Sequence, residues 1–112
     1  MDERTRRLTE NELLFREVNE RIDDVASGLG GEETVYEFVC ECSRPDCVDR
    51  VSLTLGQYGR IRARPLLFIL VDGHEVTEIE RVVDTVAPGV VAVEKIGDAA
   101  SLVAERARRT DR

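Results

Sequence analysis

The sequence contains no tryptophan, and phenylalanine and tyrosine together supply only 4% of its 112 residues. A core with so little aromatic mass must consist mainly of Val, Leu and Ile side chains. The chain also has a single histidine, no P-loop and no G-x-G-x-x-G motif. With no Ser-His-Asp candidate either, nothing in the sequence supports a hydrolase or a nucleotide-binding function.

Long apolar segments are absent as well. The longest continuous run, residues 66–71, is far too short to cross a bilayer. The polar residues 1–7 are not followed by the apolar stretch of a secretory signal. We therefore expect a cytoplasmic protein with no membrane association. In a reducing compartment, clustered cysteines favour metal binding or thiol chemistry over structural disulfides.

Lysine is nearly absent, because Lys95 is the only lysine among 16 basic residues, and 23 acidic residues bring the net charge to -7. An acidic chain does not favour non-specific binding to nucleic acid or to anionic membranes. The length, with 42% hydrophobic and 35% charged residues, predicts one soluble domain over residues 1–112. We expect residues 1–8 and 109–112 to be flexible.

An N-terminal helix is predicted to begin at the capping box of Thr9 and Glu12 and to end near Ser27. Its apolar residues recur at intervals of three and four: Phe15, Val18, Ile22, Val25 and Leu29. We favour packing of this stripe against the domain's own sheet. The alternative is a seam that pairs two copies of the chain, so that the protein is either a monomer or a homodimer through this helix.

The rest of the chain predicts an α+β fold with a small, mostly antiparallel sheet, short helices and one metal-stapled core. Strands are expected at 34–42, 51–53, 66–71 (a buried central strand), 78–86 and 90–96, and helices at 55–63 and 99–108. Thr54 to Gln57 repeats the capping-box spacing, and Asp98 is expected to cap the last helix. Residues 78–86 also fit a helical spacing, although we favour a strand.

All three cysteines lie within eight residues, as Cys40, Cys42 and Cys47, and His74 follows the turn at Gly73. Thiolate sulfur and imidazole nitrogen are preferred ligands of tetrahedral zinc. Residues two apart on a strand face the same side, and a proline turn brings Cys47 back toward them. We therefore predict a zinc site formed by Cys40, Cys42, Cys47 and His74.

The fourth ligand is the open part of this hypothesis, since water, Asp46 or Glu75 are alternatives to His74. A structural metal is favoured, because four protein ligands close the site and thiolates weaken the Lewis acidity of zinc. Glu41 and Glu75, each next to a ligand, are the candidate general bases if the metal is catalytic instead. A third hypothesis is a redox switch that releases the metal on oxidation.

Residues 43–65 are locally basic and suggest a phosphate or nucleic-acid patch as an alternative to a solvated surface. The five arginines are Arg44, Arg50, Arg60, Arg62 and Arg64. The sequence as a whole favours a non-enzymatic zinc domain that acts in protein interaction or regulation. The runner-up is a nucleic-acid-associated regulator, followed by an enzyme with a catalytic zinc.

Several short segments resemble those of a group of small proteins from actinobacteria and related bacteria with GC-rich genomes. They are residues 15–22, residues 38–42, Cys47, the Gly73-His74-Glu75 turn and residues 93–95. The group has no established activity. The resemblance implies the same module and its metal site, and it implies no reaction.

Overall fold

A computed structural model describes residues 1–110 of the chain. It contains three helices and five strands within that part of the chain. In order they are α1 (Glu3–Ala26), β1 (Val35–Val39), β2 (Arg50–Thr54), α2 (Leu55–Arg62), β3 (Leu67–Val71), β4 (Glu80–Ala87), β5 (Val90–Lys95) and α3 (Gly97–Thr110). This is the predicted α+β class with an N-terminal helix.

The strands form two antiparallel sheets where the sequence predicted one. β1 pairs with β2, and the second sheet has the order β3-β5-β4. The central strand is therefore β5, and the prediction of a central strand at 66–71 was wrong. β3 is nevertheless buried, because the segment after β1 covers its other edge: the Glu41 amide donates to the Ile69 carbonyl at 2.9 Å.

The predictions made from local sequence patterns are confirmed for α2 and for the strand at residues 78–86. Thr54 caps α2 and Gln57 completes the capping box, as predicted. The inner residues of α2 are buried, and the Tyr58 ring stacks on Phe38 with 4.5 Å between ring centroids. Residues 78–86 lie mostly in strand β4, and the turn to β5 contains Gly89 at φ +75°. That positive φ suits glycine because it has no Cβ.

Helix α1 differs from its prediction in both start and orientation. Asp2 is the N-cap, with its carboxylate accepting from the Thr5 amide at 2.7 Å, so the helix begins six residues before the predicted capping box at Thr9. Thr9 lies inside the helix and donates its hydroxyl to the Thr5 carbonyl at 2.7 Å. The predicted end near Ser27 is confirmed, since Ser27 is the C-cap.

The inward face of α1 is polar. The buried positions recur at intervals of three, four, three and seven: Thr9, Glu12, Arg16, Asn19 and Ala26. The predicted inward stripe was wrong, because Val18, Val25 and Leu29 are 45%, 67% and 77% exposed and only Phe15 and Ile22 are partly buried. Val18 and Val25 therefore lie on the outer surface of the helix, whereas Leu13 and Ile22 pack against the core.

The reason is that α1 covers the irregular segments where the two sheets meet, and these carry backbone groups without sheet partners. Asn19 accepts from the Val39 amide and donates to the Val39 carbonyl, both at 2.8 Å. Arg16 donates to the carbonyls of Pro65 and Leu67, and its guanidinium lies 4.7 Å from the Phe68 ring centroid. Buried backbone groups need partners, and here a polar helix face supplies them.

A buried ionic cluster joins α1 to the second sheet. The Lys95 ammonium contacts the carboxylates of Glu12 and Glu80, and all three side chains are fully buried. Lys95 also lies 4.1 Å from the centroid of the Phe68 ring, and the Ser43 hydroxyl donates to Glu12 at 2.7 Å. One ammonium thus faces two carboxylates in a site closed to water.

Helix α3 begins at Gly97, so Asp98 lies in its first turn and does not cap it. Leu102 and Val103 are buried, as predicted for this helix. The flexibility expected for residues 1–8 stays a prediction, although residues 3–8 are helical; of the predicted tail at 109–112, residues 111–112 lie outside the described part. Among the described residues, no helix has the length and apolarity needed to cross a membrane.

Candidate metal centre

Two separate segments of the chain form the candidate centre. Cys40 and Cys42 come after β1, so the predicted strand at 34–42 was too long and neither cysteine lies on it. The turn after them is closed by the Cys47 amide, which donates to the Arg44 carbonyl at 3.2 Å. His74 follows β3 in a turn where Gly73 has φ +93°, and the His74 amide donates to the Val71 carbonyl at 3.0 Å. The centre therefore lies where both sheets end.

The four predicted ligands lie together. One ligand atom from each of Cys40, Cys42, Cys47 and His74 lies within 4.8 Å of the others. The Nδ1 atom of His74 is 3.5 Å from the Cys40 sulfur and 3.8 Å from the Cys47 sulfur. Zinc bonds of about 2.3 Å to sulfur and 2.0 Å to nitrogen place tetrahedral ligands roughly 3.5 to 3.8 Å apart. These residues therefore have the spacing needed to hold a metal ion.

The surroundings of the ligands favour a cation. The Nε2 atom of His74 is 3.5 Å from Oδ2 of Asp49, so the ring presents Nδ1 to the centre and its other nitrogen to a carboxylate. This is the usual support of a metal-bound histidine. The Val71 amide donates to the Cys40 sulfur at 3.2 Å. The hydrogen bond stabilises negative charge on that sulfur.

The pKa values of the thiols depend on one another and on burial. The pKa of Cys42 is lowered to about 5, mainly by its hydrogen bond with Cys40 and further by the Arg44 amide, against the opposing effect of burial. The same contact with Cys42, together with burial, raises the pKa of Cys40. Burial also raises the pKa of Cys47. The protein alone thus favours one thiolate, and a bound cation would favour deprotonation of all three.

The neighbouring carboxylates have other partners. Glu41 is fully buried on the helix side of the segment, where it accepts from Asn19 Nδ2 at 2.9 Å, the Tyr58 hydroxyl at 2.8 Å and the Ile69 amide at 3.0 Å. Glu75 accepts from the Gly73 amide at 3.0 Å, and Asp46 is exposed. Neither Asp46 nor Glu75 belongs to the cluster of ligand atoms. The Glu41 carboxylate, which was considered as a general base, is therefore part of a buried hydrogen-bond network.

The accessibility of the ligands is unequal. Cys40 and Cys42 are buried, whereas Cys47 is only half-buried. The His74 side chain is 14% exposed. If an oxidant reaches this centre, Cys47 is the thiol it meets first.

The arginines that suggested an anion patch are partly engaged. Arg62 forms ion pairs with Asp23 at 2.9 Å and Asp24 at 2.7 Å, and Arg64 lies 3.8 Å from Glu94. A nucleic-acid test that substitutes Arg62 would thus also disturb the contact between α2 and α1. Arg60 is exposed and suits that test better.

Two features of the centre were missed from the sequence. Asp49 was not predicted to have a role at the centre, although it lies beside His74. Glu41 was considered as a general base, but its buried carboxylate belongs to the polar network under α1. The available signal was Asp49's position two residues after Cys47, where its amide bonds back to that sulfur. Comparisons with protein-family models, curated proteins and solved structures found no match to this chain.

Proposed function

We propose that the chain is a small zinc-binding domain whose metal is structural and is held by Cys40, Cys42, Cys47 and His74. The observation that carries this proposal is the convergence of four ligand atoms within 4.8 Å from two distant segments. Three sulfurs and one nitrogen form a donor set that suits zinc in a tetrahedral site.

The structural role follows from the position of the ligands. The cysteines end the β1–β2 sheet, and His74 follows β3 of the other sheet. A metal bound to all four would fasten the two sheets at one end, in a domain too small to have a large core. With four protein ligands, no coordination position stays open for a substrate, and the adjacent Glu41 is already engaged.

We further propose that the domain acts in protein interaction or regulation and works in a reducing compartment such as the cytoplasm. Metal binding through three cysteines requires reduced thiols. The exposed apolar side chains of Leu14, Val18 and Val25 on α1 offer a surface for a protein partner.

Native mass spectrometry combined with elemental analysis tests the metal. The purified protein is expected to carry one zinc ion per chain. Substitution of Cys47 by Ser or of His74 by Ala should lower the zinc content, whereas the control Asp46→Asn, a change of an exposed carboxylate in the same loop, should retain it. A wild-type chain that stays metal-free after refolding with equimolar zinc contradicts the proposal.

A further inference from the structure

The three thiols of the candidate metal centre differ in exposure and in position. Cys47 is partly exposed, whereas Cys40 and Cys42 are 1% and 0% exposed. All three lie between β1 and β2, in the connection of one hairpin, while His74 comes from the turn after β3. A metal bound to all four ligands therefore links the β1–β2 hairpin to the second sheet, whereas a bond between two of the thiols would stay within the hairpin.

The register of the β1–β2 hairpin sets Cys42 opposite Cys47. Beyond the last pair of the ladder, the Cys40 amide still donates to the Asp49 carbonyl at 3.1 Å, so the same register continues past the strand ends. Two residues further along each arm, Cys42 faces Cys47. Opposite residues of antiparallel arms have Cα atoms about 4.5–5.5 Å apart, which is within the range of a disulfide. The two sulfur atoms lie within 4.8 Å of each other, so a disulfide needs little backbone movement.

The other two pairings of the thiols fit less well. The amides of Cys40 and Glu41 bond to opposite sides, so this segment is extended. Cys40 and Cys42 are two apart on it, which separates their Cα atoms by about 6.6 Å, near the upper limit for a disulfide. Cys40 is opposite Asp49 in the register, and its sulfur accepts from the Val71 amide at 3.2 Å on the side of β3. Cys40 is therefore the thiol that stays unpaired.

We propose that the centre is a peroxide-sensitive switch, in which oxidation joins Cys42 to Cys47 and releases the metal. The inference rests on the proposed zinc site and adds its regulation. In the reduced protein the metal links the hairpin to the turn that carries His74. In the oxidised protein a disulfide closes the hairpin on itself, and Cys40 and His74 remain of the four ligands. A structural zinc site needs all four, so the link between the two sheets is lost.

The oxidant is hydrogen peroxide, and the exchange takes two steps. The sulfur of Cys47, the most accessible thiolate, attacks one peroxide oxygen: an S–O bond forms, the O–O bond breaks and hydroxide leaves. The Cys42 thiolate then attacks the sulfur of this sulfenic acid, so that an S–S bond forms, the S–O bond breaks and a second hydroxide leaves. The two sulfurs together lose the two electrons that reduce the peroxide, and solvent protonates both hydroxides to water.

Titration of the zinc-loaded full chain with hydrogen peroxide tests the proposal, with a coloured zinc chelator as reporter and the same chelator without peroxide as the blank. Each chain is expected to release its one zinc ion as the free thiols fall from three to one. Peptide mass spectrometry should find Cys42 linked to Cys47. Reduction with dithiothreitol followed by added zinc should restore the starting form.

Hydrogen exchange separates this switch from simple loss of the metal. In the oxidised protein, exchange should accelerate at residues 71–76, because the turn that carries His74 is no longer held. Residues 40–49 should exchange more slowly than in the reduced protein from which a chelator has removed the zinc, since the disulfide still closes the hairpin.

Two variants, each without one buried ligand, separate the roles of the thiols. Cys40→Ser keeps the proposed pair, so peroxide should still link Cys42 to Cys47 and leave no free thiol. Cys42→Ser removes the thiol that resolves the sulfenic acid, so Cys47 should react with a sulfenic-acid trap and proceed to sulfinic acid in excess peroxide. Melting curves verify that both variants fold.

Three results would overturn the switch and leave the zinc site standing. They are a chain that keeps its zinc in excess peroxide, a wild-type disulfide that maps to Cys40, and a Cys40→Ser variant whose two remaining thiols do not link. A chain that never binds zinc is a different result, because it contradicts the proposed function, and the release of metal falls with it.

Discussion

Asp49 supports the centre twice without being a ligand. Its carboxylate lies 3.5 Å from the outer nitrogen of His74, and its amide bonds to the Cys47 sulfur. The carboxylate places negative charge beside the ring nitrogen that faces away from the sulfurs, and the amide stabilises charge on one of the sulfurs. A single residue thus steadies the two ligands that are most exposed to solvent.

Asp49→Ala should weaken zinc binding about tenfold, the lower end of the usual loss for a carboxylate behind a metal-bound histidine. The lower end applies because the Asp49 side chain is 55% exposed and its amide remains in place. Competition with a coloured zinc chelator measures the affinity. Asp46→Ala is the control and should not change the zinc affinity. Equal affinities of the wild type and Asp49→Ala would show that the Asp49 carboxylate does not support zinc binding.

The buried Glu12 beside Lys95 makes stability depend on pH. Burial raises the pKa of Glu12 well above its usual value of 4.5, although the nearby Lys95 charge opposes the shift. A carboxyl group with a raised pKa in the folded state binds its proton more tightly there than in the unfolded chain. Its contribution is complete below the unfolded pKa and is lost as pH rises through the folded value.

We therefore expect Glu12→Gln to gain stability relative to the wild type between pH 5 and pH 8. Lys95→Met should instead cost about 3–5 kcal/mol, because it leaves Glu12 and Glu80 buried without a counter-charge. Urea unfolding of the three proteins across this pH range measures both effects. A Glu12→Gln protein that loses stability relative to wild type as pH rises would reverse the assigned direction.

At the scale of the element, α1 stabilises the fold through hydrogen bonds as well as apolar contact. Its side chains satisfy backbone groups on segments that no strand covers, and Asn11 also donates to the Ser43 carbonyl at 3.1 Å. Removal of such a side chain leaves its buried backbone partners without a hydrogen bond, and this lowers the free energy of unfolding. Replacing these polar residues by apolar ones would improve the local helix pattern and harm the protein.

Asn19→Leu should therefore destabilise the domain by about 2–4 kcal/mol, since it leaves both polar groups of Val39 without partners and removes one donor to Glu41. Arg7→Leu, on the exposed side of the same helix, is the control and should change stability by less than about 0.5 kcal/mol. Chemical unfolding measures both. A neutral Asn19→Leu would mean that water replaces the amide at no cost.

At the scale of the whole molecule, the two sheets meet along contacts of different kinds. The Glu41 amide joins the first sheet's segment to β3, the polar side of α1 covers the seam, and the four ligands close one end. The β4–β5 hairpin has its own ladder of pairs and supplies none of the four ligands. Loss of a metal would therefore loosen one end of the molecule before the rest.

Removal of zinc by a chelator should lower the melting temperature by at least about 10 °C, corresponding to about 2 kcal/mol. Hydrogen exchange should then accelerate at residues 40–49 and 71–76 and remain slow in β5. Cys42→Ser should melt like the chelated wild type, and the chelator should change it no further. An unchanged melting curve after verified metal removal would contradict a structural role.

The residues that act through their nearest neighbours in the chain could be predicted from the sequence. The Thr54–Gln57 capping box and the alternation in β1 depend on spacings of two or three residues. The four ligands were predicted for a different reason, because cysteine and histidine are scarce in the chain and suit a metal. Capping and strand alternation follow from backbone geometry alone. These features therefore appear in the structure at the positions that local rules assign to them.

The orientation of α1 could not be predicted in this way. A helical periodicity shows which residues share a face, but whether that face turns inward depends on what the helix packs against. Here the neighbour is a seam of unpaired carbonyls and amides, and satisfying those buried groups outweighs burial of Val18 or Val25. The Lys95 cluster and the contact of Asp49 with His74 likewise arise from long-range packing, which places together charges that no local pattern connects.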